Sequence, residues 1–96
     1  MWGVSRLMLF MVIEHFKDTN AIGQRFRAKG RMMPESVQYV ASWIDPARDR
    51  CFQVMEAPTI EDLEPWVRAW EDLGSFEIVP VLTSKDFWAQ RATGAL

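Results

Sequence analysis

The sequence predicts an α+β domain in which one four-stranded antiparallel sheet carries two helices on a single face. Three features predict it. An apolar run, Leu7 to Ile13, is cut off by Glu14-His15; two strand-like segments flank the turn Asp45-Pro46-Ala47-Arg48-Asp49; and Leu63, Trp66, Trp70 and Leu73 recur at helical spacing.

The first strand is the apolar run. Alternation puts Met8, Phe10 and Val12 on one face and Leu9, Met11 and Ile13 on the other, so both faces must leave water. Phe16 to Asn20 is turn-like, and Asp18 or Asn20 caps a short helix over Ala21–Lys29 with one apolar stripe, Ile22 and Phe26. Gly30 supplies a left-handed stop, and Pro34 blocks continuation. Val37–Ile44 and Arg50–Ala57 form a hairpin of β-branched and aromatic segments around the Asp-Pro turn. Thr59 and Asp62 have capping-box spacing at the start of the second helix, which Gly74 closes; Pro65 either opens the regular helix or kinks it. Phe76–Leu82 is the last strand, and Pro80 restricts it to a sheet edge or a bulge. Thr83 to Asp86 cap a final helix carrying Phe87 and Trp88.

The order βαββαβ, with right-handed crossovers and a central hairpin, is the split-βαβ arrangement, whose first and third strands are central. One sheet face then meets the helices and the other is bare. That bare face projects ~350 Å², near the largest apolar patch a monomer tolerates, so a two-fold homodimer with sheets face to face is the plainest cover. A C-terminal helix folded over the face is the alternative.

The 96 residues are one domain, with 1–6 an N-terminal extension, 85–96 a C-terminal helix and tail, and Met8 an alternative start. A hydrophobic content of 49% with 25% charged residues is ordinary for a globular chain. The net charge of −2 offers no attraction to nucleic acid or an anionic membrane. The lone cysteine forms no internal disulfide and fits a reducing, cytoplasmic setting. The opening run is far short of the ~20 residues that span a bilayer.

The segments EHFKD, RFRAKGRMMPE, YVASW, RCFQVME and WEDLGSFEIVPVLTS, running in order from Leu7 to Ser84, resemble a bacterial family of domains of unknown function grouped with the dimeric α/β barrels. The resemblance implies a ferredoxin-like protomer and a barrel dimer, with no established activity. Pro65 and the Met1–Leu7 extension depart from the family pattern. Haem-degrading members of that superfamily use an Asn–Trp–His constellation; Asn20 falls in a turn here, so that activity is not carried over.

If the hairpin is symmetric about Asp45–Asp49, Trp43 lies opposite Cys51 and Ile44 opposite Arg50. One face then carries Tyr39, Trp43, Cys51 and Gln53, an aromatic, thiol and amide mixture suited to a small-molecule pocket; Ser42 and Ile44 fall on the other face. A single bulge would flip part of this assignment. The bland reading of the first group is a core with a hydrogen-bonded Gln and Tyr.

His15, the single histidine, is the candidate acid/base, with Glu14 beside it; Arg50, Cys51 and Glu77 gather at the same sheet end. An ion-paired strand end is the competing reading. Cys51 has no activating motif and reads as an inert buried thiol, and one His with one Cys falls short of the His and Cys ligands of a structural zinc site. Arg25, Arg27, Lys29 and Arg31 read as a solvated basic face, with an anion site as the alternative. The third strand lacks the Gly-containing aromatic motif of RNA-recognition domains, and no phosphate loop, nucleophile elbow or metal-ligand spacing occurs. No cofactor or metal is expected.

Three functions follow as expectations: a homodimer binding a small apolar or aromatic molecule; a cofactor-independent oxygenase or isomerase using His15; and a non-catalytic protein-interaction module. A cavity reaching His15 separates them.

Overall fold

A computed structural model of the protein describes residues 7–92. The expected extension over 1–6 and the tail after Thr93 lie outside the described residues. The order is β1 (Met8–Phe16), α1 (Thr19–Lys29), β2 (Gln38–Asp45), β3 (Arg50–Ala57), a 3₁₀ turn (Ile60–Leu63), α2 (Glu64–Trp70), β4 (Gly74–Val81) and α3 (Ser84–Ala92). The sheet is antiparallel with strand order β2-β3-β1-β4. This α+β architecture, a four-stranded sheet with three α-helices, is compatible with a ferredoxin-like fold.

β1 and β3 are central and β4 is an edge, which leaves Pro80 in a strand that is paired on one side only. The helix-facing side of β1 presents Phe10, Val12 and Glu14, all buried, and β3 adds Cys51, Gln53, Met55 and Ala57. Phe10, Val12, Met55 and Leu63 lose all measurable exposure. Trp66 and Trp70 of α2 pack on this cluster, and Trp66 meets Phe76 of β4 edge-on at 5.2 Å.

The ends of the elements follow local chemistry. Asp18 caps α1 by accepting from the Ala21 amide at 3.0 Å, and Gly30 stops the helix at φ 68°. Thr59 donates to Asp62 Oδ2 through both its amide (3.0 Å) and its hydroxyl (2.7 Å). Pro65 sits in the first turn of α2, where it takes no intrahelical hydrogen bond away; the preceding residues form the tighter 3₁₀ turn. The regular helix therefore starts late and does not kink.

The hairpin departs from the expected symmetric register. Asp45 pairs with Arg50, Ile44 with Cys51 and Trp43 with Phe52, and the ladder slips between Tyr39 and Ala41. Asp45 causes the change. Its Oδ1 accepts from the Ala47 amide at 3.1 Å and its Oδ2 from Arg50 Nε at 2.9 Å, while Asp49 takes a left-handed φ of 49°. The loop closes one residue later than a symmetric turn allows, and β2 side chains exchange faces up to the bulge at Val40. Ser42 and Ile44 join the helix side; Ala41 and Trp43 leave it.

The opposite face carries Leu9, Met11 and Ile13 of β1, Phe52 and Val54 of β3, Trp43 of β2 and Val79 of β4. Trp43 remains 59% exposed and Val79 37%. α3 does not cover this face: every described side chain of residues 84–91 is exposed except half-buried Phe87, which stacks edge-on with Trp88.

Candidate functional site

α1 has no buried residue, although it lies over the helix-facing side of the sheet. Its apolar stripe is thin: Ile22 packs on the core, Phe26 stays 44% exposed, and between them Gly23 contributes no side chain. Arg25 tethers the helix sideways instead, pairing with both carboxylate oxygens of Asp72 (2.8 and 2.7 Å) and donating to the Ala69 carbonyl at 2.8 Å. A cleft of about 430 Å³ is left between α1 and the sheet. Ile22, Gly23 and Phe26 form its roof, and Trp66 and Trp70 one wall. Glu14, Cys51 and Gln53 form the floor, and Ser42, Ile44 and Arg31 lie towards the β2 side.

The floor is polar at one point. Gln53 Nε2 donates to Glu14 Oε1 at 3.2 Å, and both residues are 6% exposed. Burial penalises the carboxylate and raises the Glu14 pKa from 4.5 to about 7. The group is therefore poised between its two protonation states near neutral pH. Cys51 lies opposite Glu14 in the ladder. Burial and the Glu14 charge raise its thiol to about 11, against a smaller opposing pull from Arg31, so it stays protonated at neutral pH.

The expected site residues divide. Cys51 and Gln53 line the cleft together with Glu14. Tyr39 shares their side of the sheet without lining the cleft; its hydroxyl shares a 2.7 Å hydrogen bond with Ser42 Oγ, and Arg31 lies 3.6 Å over its ring. Trp43 sits on the opposite face. His15 is exposed and pairs in the ladder with Arg50 and Ser75, also away from the cleft. The polar strand end does gather as expected, but the pleat splits it between two faces, Glu14 and Cys51 on one, His15, Arg50 and Glu77 on the other. Arg50 is engaged by Asp45 at 2.9 Å.

Ser42, Ile44 and Gly23 were not among the expected site residues. The signal for the first two was Asp45, which can close its own turn through its side chain. For the third it was a glycine inside an apolar helical stripe. Among the described residues no cluster of His, Cys, Asp or Glu could hold a metal, and no helix is long and apolar enough to cross a membrane.

No curated protein and no solved structure matches the chain. Residues 8–94 match a family described as a domain of unknown function, DUF3303, and the chain belongs to that family.

Proposed function

We propose that this protein binds a small apolar or aromatic molecule in the cleft beneath α1, as a homodimer of ferredoxin-like protomers joined through their bare sheet faces in a dimeric α/β barrel. The observation that carries the reading is the cleft itself. Its volume of about 430 Å³ falls within the roughly 300–1,000 Å³ of small-molecule sites, and its apolar lining surrounds one convergent polar pair, Glu14 and Gln53. A helix held at its side by Arg25, with none of its own residues buried, is what a site that must admit a ligand requires.

Support for the dimer comes from the opposite face, where Leu9, Met11, Ile13, Phe52 and Val54 form a contiguous apolar surface on the two central strands. A second copy would cover it by two-fold symmetry. A cytoplasmic location agrees with the single reduced cysteine.

An oxygenase or isomerase step would have to use Glu14 rather than His15, because only Glu14 lines the cleft. A pure interaction module needs no such cavity.

Trp66 and Trp70 line the cleft, so ligand entry should change tryptophan fluorescence. The test is a titration with small aromatic and aliphatic compounds. Saturable quenching that Trp66→Phe reduces supports the reading; no saturable signal with any compound opposes it. Sedimentation at micromolar concentration should give a particle of twice 11.2 kDa, and a single 11.2 kDa species contradicts the dimer.

A further inference from the structure

The cleft reading leaves the chemistry of the ligand open, and Arg31 narrows it. Arg25, Arg50 and Arg68 each have a carboxylate partner, at 2.7, 2.9 and 3.4 Å. Arg31 is half-buried, lines the cleft, and among the described residues pairs with no carboxylate. Its guanidinium is nonetheless held in place. It lies 3.6 Å from the centre of the Tyr39 ring and 5.2 Å from that of Phe26. Its carbonyl accepts a 2.9 Å hydrogen bond from the indole of Trp70, and its neighbours Gly30 and Met32 both hold left-handed backbone, at φ 68° and 58°. Met32 adopts that conformation without being glycine, so the turn is fixed at a cost of about 1 kcal/mol or more.

Stacking on a ring face occupies the plane of a guanidinium and leaves its in-plane N–H donors free. Arg31 is thus a positioned cation with unspent donors beside an apolar space. A partly desolvated charge without a partner is costly, and a bound anion relieves that cost. Glu14 does not cancel it: burial keeps that carboxyl protonated up to about pH 7. The positive charge of Arg31 does reach the floor, where it opposes the rise of the Cys51 thiol.

Resting on the cleft reading, we infer that the ligand is an amphiphilic monoanion: an apolar or aromatic skeleton packed under α1 against Trp66 and Trp70, ending in a carboxylate bound by Arg31. The skeleton is small, because about 430 Å³ is near the low end of small-molecule sites.

The experiment compares isosteric pairs on the full chain by calorimetry at pH 6: naphthalene-2-carboxylate with naphthalene-2-carboxamide, and decanoate with decanamide. The carboxylate of at least one pair should bind about tenfold more tightly than its amide, the scale of a charge-assisted contact. Arg31→Gln should erase that preference and leave amide affinity unchanged. Arg31→Lys should keep part of it, since a point charge replaces a planar fork. Circular dichroism confirms that each variant is folded, and the wild-type comparison stands without them. Equal or tighter binding of the amides overturns the inference while leaving the cleft reading in place. A carboxylate preference that survives Arg31→Gln overturns it as well. No binding by any of the four compounds overturns both.

Discussion

Gln53 Nε2 donates to Glu14 Oε1 across 3.2 Å, from adjacent central strands and at 6% exposure for each residue. One neutral amide is modest compensation for a buried carboxylate, and the Glu14 pKa rises to about 7. The native state therefore holds a proton that the unfolded chain releases near 4.5. Between 4.5 and about 7 the unfolded state binds fewer protons than the native one, so stability must fall as the pH rises through this interval and level off above it. Glu14→Gln keeps the amide contact and removes the titration. The variant should match wild type near pH 4.5 and exceed it at pH 8 by on the order of 3 kcal/mol in urea denaturation. A difference that does not change with pH would remove Glu14 as the buried titrating group.

Gly74 sits where β4 begins, and a Cβ there would stand 3.0 Å from the His15 carbonyl oxygen and 3.3 Å from Glu14 Oε2. The first contact is with backbone that cannot move alone. Gly74→Ala should cost about 1–3 kcal/mol, the usual scale of overpacking. Urea denaturation reads the loss, and an unchanged midpoint would mean that the β1–β4 end has slack.

Gly23 behaves differently. A Cβ at this position meets only Arg27 Nη1, at 3.4 Å, an ordinary contact with a flexible side chain. Gly23→Leu should stabilise α1 by about 0.5–1 kcal/mol through helix propensity while filling the cleft. Higher thermal stability with lost ligand quenching is the expected pair of results. Retained binding would place the ligand elsewhere.

Met11 lies on the central strand, on the face away from the helices, opposite Val54 and Val79. Met11→Glu puts a charge at the middle of the surface assigned to the dimer and should give an 11.2 kDa particle in sedimentation. Ligand binding should persist, because the cleft lies on the other side of the sheet. A variant still twice that mass would exclude this face as the interface.

Asp45 decides which β2 side chains reach the cleft, through its bonds to Ala47 and Arg50. Asp45→Ala should weaken the hairpin by about 1–2 kcal/mol and loosen its register. Amide exchange in Ser42 and Ile44 should quicken, while β1–β4 protection holds.

Much of the fold was legible because its causes are local. Alternation marked β1, Asp18 and Gly30 bounded α1, Thr59 and Asp62 announced the turn before α2, and Pro80 confined β4 to an edge. Residues along β1 and along β3 were sorted correctly into two alternating sets, since period-two alternation survives any choice of neighbour. β2 was not, because its facing depends on where a turn closes and where a bulge falls, and one residue in either place reverses the strand.

By itself the sequence determined which segments form the strands and helices, and the centrality of β1. Tertiary structure alone decided which sheet face holds a cleft, and so that Glu14 lines it and His15 does not. It also decided that Trp43 faces away from Cys51, and that α1 stands clear of the sheet to leave a cleft beside Arg31. The physical reason is the range of the interactions involved. Caps and alternation act over a few residues. The height of a helix above a sheet is set by side chains that meet across it, as when Arg25 reaches Asp72 and Trp70 reaches the carbonyl of Arg31.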